Sequence, residues 1–184
     1  MLQVISVLLE NKPGALLRVT GLLGSRGYNI ESLTVARTLD PSLSRMTIVV
    51  DVDPKLCAQV IKQMNKLINV LQATDLTEAP SIGRELVLLR VRAEQEGHTA
   101  ILTEAEIFGA RVIDSSTEGF VIEATGDLEK IEEFLEAMRC YGEIEISRSG
   151  TVAIPPGGKK LRLQPPVSMT QSREREGAVL PRSY

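Results

Sequence analysis

Residues 3–52 read QVISVLLENKPGALLRVTGLLGSRGYNIESLTVARTLDPSLSRMTIVVDV, and the changes of hydrophobic period along this stretch decide the fold. Residues 3–9 are a short apolar run of buried-strand type. Over 13–26, Leu16, Val19, Leu22 and Leu23 share one helical face, and Gly27 ends that helix as a left-handed cap. Residues 28–38 and 44–52 are extended, with Asp40-Pro41 marking the turn between them. Met46, Ile48, Val50 and Val52 alternate with Arg45, Thr47, Val49 and Asp51, as a strand with one buried face requires. Just beyond, Asp53-Pro54 is a helix cap followed by proline at the first helical position. Leu56, Val60, Met64, Leu67 and Ile68 form the stripe of that second helix, and residues 70–77 supply a fourth strand. The order βαββαβ predicts an α+β unit of ferredoxin-like type, with four antiparallel strands and two helices on one face.

The same order recurs further along. Ala79-Pro80-Ser81-Ile82-Gly83 reads as a linker, and Glu85–Ala93 is strongly strand-like. A short helix is expected around Thr99–Phe108, a hairpin over Arg111–Ser115 and Gly119–Thr125, and a helix capped by Asp127. Gly142–Ser147 closes this unit. From Pro155 the Pro, Gly, Ser, Arg and Glu content leaves no hydrophobic period, which predicts a flexible tail. The expected organisation is a first domain over 1–78, a linker over 79–83, a second ferredoxin-like domain over 84–154, and a tail over 155–184. In the first strand Val4 and Leu8 lie on one side and Ile5, Val7 and Leu9 on the other. Apolar residues on both sides of a sheet with helices on one side predict further cover, from a second copy or a larger partner.

Composition excludes several functions. The chain of 184 residues has a net charge of −3, no Trp and 3% aromatics, so nothing global attracts nucleic acid or an anionic membrane. The strand residues Ile5, Val7, Met46, Ile48 and Val50 cannot stack bases as RNA-binding relatives of this fold do. Met1–Leu9 lacks the basic front and cleavage site of a signal peptide, and no apolar run approaches the roughly 20 residues that span a bilayer. A cytoplasmic protein with reduced Cys57 and Cys140 is expected.

Catalytic groups are scarce. The single histidine, His98, reads as a solvated residue at a helix start rather than a general base. Glu129, Glu132, Glu133 and Glu136 read as a solvated helix face. Gly21-Leu22-Leu23-Gly24 sits inside an amphipathic helix and lacks the ending of a phosphate loop. No catalytic residue is assigned.

One turn stands apart from this scaffold. In Glu10-Asn11-Lys12-Pro13-Gly14-Ala15 the helix is expected to open at or near Pro13, leaving the amides of Gly14 and Ala15 with little side-chain cover. Free amides at a helix start, on the favourable end of its dipole, suit a carboxylate. Asn11 can offer donor and acceptor to the polar end of an amino acid, and Asn29 offers a second amide beyond the far end of the helix. Taken singly, both asparagines are equally well read as ordinary turn residues.

The whole string from Leu8 to Val50 closely resembles the N-terminal ACT domain of the acetolactate (acetohydroxyacid) synthase small subunit. The resemblance is carried by Arg26-Gly27-Tyr28-Asn29-Ile30-Glu31-Ser32-Leu33-Thr34-Val35 and by Ser44-Arg45-Met46-Thr47. Glu106-Ile107-Phe108, Val112-Ile113-Asp114 and Ser147-Arg148-Ser149-Gly150 extend it through the second unit, so that it covers residue 2 to about 154. His98-Thr99 stands where that family more often has basic and acidic residues, and the tail is longer than usual. The resemblance implies a regulatory subunit that dimerises, binds and activates the large catalytic subunit, and confers feedback inhibition by valine in branched-chain amino acid biosynthesis. Thiamine diphosphate, FAD and Mg²⁺ would belong to the catalytic partner, with no metal assigned here. The effector would meet Asn11, Pro13, Gly14, Ala15 and Leu16 of one protomer and Asn29 and Ile30 of its neighbour in a homodimer. The alternative is a stand-alone ACT-type amino-acid-binding module that controls another enzyme.

Overall fold

The computed structural model describes residues 1–77 and 80–156. The first sheet has strand order β2-β3-β1-β4, from β1 (Leu2–Glu10), β2 (Ile30–Arg37), β3 (Leu43–Asp51) and β4 (Val70–Asp75). Helix α1 (Ala15–Gly24) joins β1 to β2, and α2 (Pro54–Met64) joins β3 to β4. Ile5, Val7 and Leu9 on β1, with Met46, Ile48 and Val50 on β3, point at the helices and pack on Val19, Leu23, Val60 and Met64. Each such side chain, fully removed from water, contributes about 1.5–3 kcal/mol before the cost of ordering it. The RNA-type positions considered above are therefore core residues under the helices. The opposite face carries Val4, Ser6, Leu8, Arg45, Thr47 and Val49, which also lack an aromatic ring.

Local chemistry explains where the helices stop and start. Asp53 accepts the amide of Lys55 at 2.8 Å with Pro54 as the first helical residue, and Asp127 accepts the amide of Lys130 at 3.0 Å. Gly27, at φ 72°, turns the chain out of α1 into β2. Helix α1 begins two residues later than proline at the helix start would place it. Pro13 lies in the turn, and Gly14 is the cap.

The second sheet has order β6-β7-β5-β8, with β9 paired to β5. Its strands are β5 (Ile82–Arg92), β6 (Arg111–Ser116), β7 (Gly119–Gly126), β8 (Glu143–Arg148) and β9 (Val152–Ile154), with helices α3 (His98–Ile107) and α4 (Leu128–Arg139). The two units are thus both ferredoxin-like. Two expectations need correction here. Ile82 and Gly83, read as linker, open β5 and pair with Ile154 and Ala153. His98 is not simply solvated: its ring meets Phe120 edge-on at 4.8 Å, and Nε2 lies 3.1 Å from the Ala93 carbonyl.

The expected external cover for the first sheet is also corrected in part, because the chain supplies some of it. Residues 149–153 cross the helix-free face. There the Thr34 hydroxyl donates to the Ser149 carbonyl at 3.2 Å, and the Ala153 amide donates to the Thr47 hydroxyl at 3.4 Å. Thr47 is left 2% exposed and Ala153 2%. The expected tail lies outside the described residues from 157 onward. Among the described residues no helix is long and apolar enough to cross a membrane.

Candidate functional site

The turn between β1 and α1 is built by its neighbours. The Asn11 amide donates to the Ser42 carbonyl at 2.7 Å, and its side-chain Nδ2 donates to the Pro41 carbonyl at 3.0 Å. Asn11 thereby ties the turn to the β2–β3 loop, leaving its Oδ1 as an acceptor. Gly14 holds φ 81°, and a Cβ built there would meet nothing within 4 Å. The space over the helix start is open.

The donor set differs from the one expected. The Ala15 amide is spent on the Lys12 carbonyl at 3.2 Å, and Arg18 closes the first helical bond onto Gly14 at 3.1 Å. The amides of Gly14, Leu16 and Leu17 have no backbone acceptor among the described residues. Ala15 is buried, while Asn11, Pro13, Gly14 and Leu16 are exposed. The site the turn can form is thus three amides around an open left-handed glycine, with Leu16 as its apolar rim. Free N–H groups at the positive end of a helix dipole favour an anion.

Charged neighbours that sequence reasoning missed complete the local field. Lys12 Nζ lies 3.0 Å from Glu10 Oε1, and Asn69 Nδ2 donates to Glu10 Oε2 at 2.7 Å. These two hydrogen bonds, Lys12 first, hold the Glu10 carboxyl below its ordinary range, so it is ionised at neutral pH. The turn thus offers an anion-binding helix start beside a carboxylate able to accept an ammonium group. Asn69 is contributed by the segment before β4, a tertiary neighbour that no local pattern identifies.

Asn29 and Ile30 are not at this turn. Ile30 pairs with Val50, which pairs with Gln3, whereas Glu10 pairs with Leu43 at the other end of the sheet. From Gln3 to Glu10 a strand runs about 23 Å at ~3.3 Å per residue. Helix α1, 10 residues long, separates the two ends by about 15 Å. Asn29 is exposed and its Nδ2 donates to the Glu31 carboxylate. One chain therefore cannot set Asn11 and Asn29 around a single amino acid; a second copy could. The strand that starts at Ile30 is an edge of the sheet, with Val35 40% exposed.

A second concave feature lies between the units. A cleft of about 540 Å³ is lined by Leu2, Glu31, Ser32, Glu85, Glu132 and Arg148, among others. It is separate from the turn at Asn11. No group of three or more His, Cys, Asp and Glu able to hold a metal ion occurs among the described residues.

Comparison with known proteins agrees across both units. Residues 5–72 match the family model described as the AHAS small subunit-like ACT domain, and residues 84–157 match that of the small subunit of acetolactate synthase. A protein of Archaeoglobus fulgidus described as a probable acetolactate synthase small subunit is 51% identical over 160 residues, 87% of this chain and 100% of its own length. The acetolactate synthase isozyme 3 small subunit of Escherichia coli is 42% identical over 163 residues, 88% of this chain and 100% of its own. The crystal structure of the acetolactate synthase small subunit from Thermotoga maritima superposes with a TM-score of 0.76 at 37% identity. It covers 86% of this chain and 99% of that one.

Proposed function

The chain belongs to the acetolactate synthase small-subunit family, and from that premise we propose that it activates the large catalytic subunit and makes it sensitive to valine. Thiamine diphosphate, FAD and Mg²⁺ are assigned in this reading to the catalytic partner. The chain contributes regulation: it binds the end product of branched-chain synthesis and passes that information on.

The observation that carries the effector half of the proposal is the separation of the two candidate half-sites. The Gly14, Leu16 and Leu17 amides suit the carboxylate of valine, the Glu10 carboxylate suits its ammonium group, and Leu16 suits its side chain. Asn29 and Ile30, at the opposite end of the sheet, would complete the site from a second protomer. The β2 edge, unpaired among the described residues, supports pairing of two copies. A site shared by two protomers gives valine different contacts in different dimer arrangements, and so lets it bias their populations.

The test is the activity of the cognate catalytic subunit with and without this chain, titrated with valine. Stimulation by the chain, reversed by valine, is expected. Unchanged activity and unchanged valine sensitivity would overturn the proposal.

A further inference from the structure

The segment Ser149-Gly150-Thr151 is bonded to both units. Toward the first, Ser149 accepts the Thr34 hydroxyl at 3.2 Å and the Thr151 amide reaches the Ser32 hydroxyl at 3.5 Å. Gly150 holds φ 77°, and a Cβ there would stand 3.0 Å from Thr34 Oγ1 and 3.3 Å from Ser32 Cβ. A residue without a Cβ is what allows the backbone this close to β2. Toward the second unit, the Ser149 amide donates to the Leu86 carbonyl at 2.9 Å, and its hydroxyl accepts the Leu86 amide at 3.1 Å. Arg148, one residue earlier, holds Glu85 of β5 and Glu132 of α4.

Ser32 and Thr34 lie on β2, which begins at Ile30. A shift at the start of β2 therefore moves the hydroxyls on which the segment hangs. The 540 Å³ cleft lies beside it, walled by Glu31 and Ser32 on one side and Glu85, Glu132 and Arg148 on the other, so that here the segment is a direct bonded link between the two walls. We propose that Ser149-Gly150-Thr151 is the coupling element that carries effector occupancy at Asn29 and Ile30 from β2 to β5 and α4 of the second unit. The proposal rests on the effector site described above.

Two forms of the full chain test it with the cognate catalytic subunit and L-valine: Ser32→Ala with Thr34→Val, and Gly150→Ala. The first removes two hydroxyls at nearly constant volume, so it stays informative if the second misfolds. Calorimetry is expected to give valine affinity close to wild type, and stimulation without valine is expected to persist. Maximal inhibition should fall by about fivefold or more, the lower end of ordinary coupling strengths. Hydrogen exchange supplies a second readout. Valine should change protection at Leu86, Thr151 and Ala153 in the wild type only, while protection at Leu16 and Leu17 responds in both. Inhibition unchanged in the Ser32→Ala, Thr34→Val form would overturn the coupling role. Loss of valine binding together with inhibition would also overturn it, by making these residues part of the site. A wild-type chain that binds no valine would overturn the effector reading and the coupling with it, an outcome distinguishable because no substitution is needed to see it.

Discussion

Arg148, at the end of β8, grips the carboxylate of Glu85 with two parallel hydrogen bonds, Nε to Oε1 at 2.7 Å and Nη2 to Oε2 at 3.1 Å. A third, from Nη1 to Glu132 Oε1 at 2.7 Å, reaches α4. The Glu85 side chain is 3% exposed and that of Arg148 is 30%. Removing the cation leaves a buried carboxylate without a partner, so Arg148→Ala is expected to destabilise the chain by about 3 kcal/mol. Replacing both by apolar residues, Glu85→Leu with Arg148→Met, should restore most of that loss because neither a charge nor an unpaired polar group is then buried. Urea unfolding of the single and double forms measures the difference.

The first unit was legible because its elements are long enough to show a period. The stripe Val19–Leu23 and the alternation Met46–Ile48–Val50 each repeat more than once, and both faces appear where expected. Helix α1 is shorter than the 13–26 reading because Gly14 takes a left-handed cap at its start, and because at its end the amides of Arg26 and Gly27 bond three residues back, to Leu23 and Gly24; hydrophobic period encodes neither choice. Strand β9 has 3 residues, too few for any period, and its partners Ile82 and Gly83 looked like linker because Pro80, Ser81 and Gly83 stand together there. The turn at Asn11 was visible through its Pro-Gly-Ala composition. Its donor set was not: the Lys12 carbonyl takes the Ala15 amide through a backbone conformation that composition does not encode, and Ser42 and Asn69 reach the turn through folding rather than through adjacency.

Gly14→Asp probes the turn directly. The new Cβ would meet no atom within 4 Å, and Asp is among the residues that tolerate a positive φ, so the fold should lose only about 1 kcal/mol. Its carboxylate would occupy the amides and repel that of the effector. Valine inhibition is expected to disappear while stimulation of the catalytic subunit is largely kept, as read from parallel activity titrations. Equal loss of both would mark the turn as scaffold.

Val35→Lys tests whether sensing needs the second copy. Val35 is 40% exposed on the edge strand; the lysine stem can lie along the strand with its charge in water, which spares the monomer fold. A charge on a sheet edge opposes edge-to-edge pairing. Sedimentation should give the 20.1 kDa monomer in place of the dimer expected for wild type. Valine affinity should fall with it, although Val35 is absent from both half-sites. A monomeric form that still binds valine at full strength would confine the site to one protomer.

The two thiols should behave oppositely. Cys57 is fully buried, its Sγ lies 3.9 Å from Asp75 Oδ2, and burial, then the Asp75 charge, push its pKa from 9.0 to about 11. Cys140 is exposed. At pH 8 iodoacetamide should modify Cys140 in the native chain and reach Cys57 only after unfolding, since the thiolate is the reactive form. Because folding raises the Cys57 pKa, the folded state favours the neutral thiol. Its stabilising contribution is complete below pH 9 and is lost as pH rises from about 9 to about 11. Relative to Cys57→Ala, the wild type should therefore lose up to about 2 kcal/mol across that window. Denaturant midpoints of the two forms, compared pH by pH, cancel the lysine and tyrosine titrations they share; a constant difference would mean that Cys57 ionises as readily in the fold as outside it.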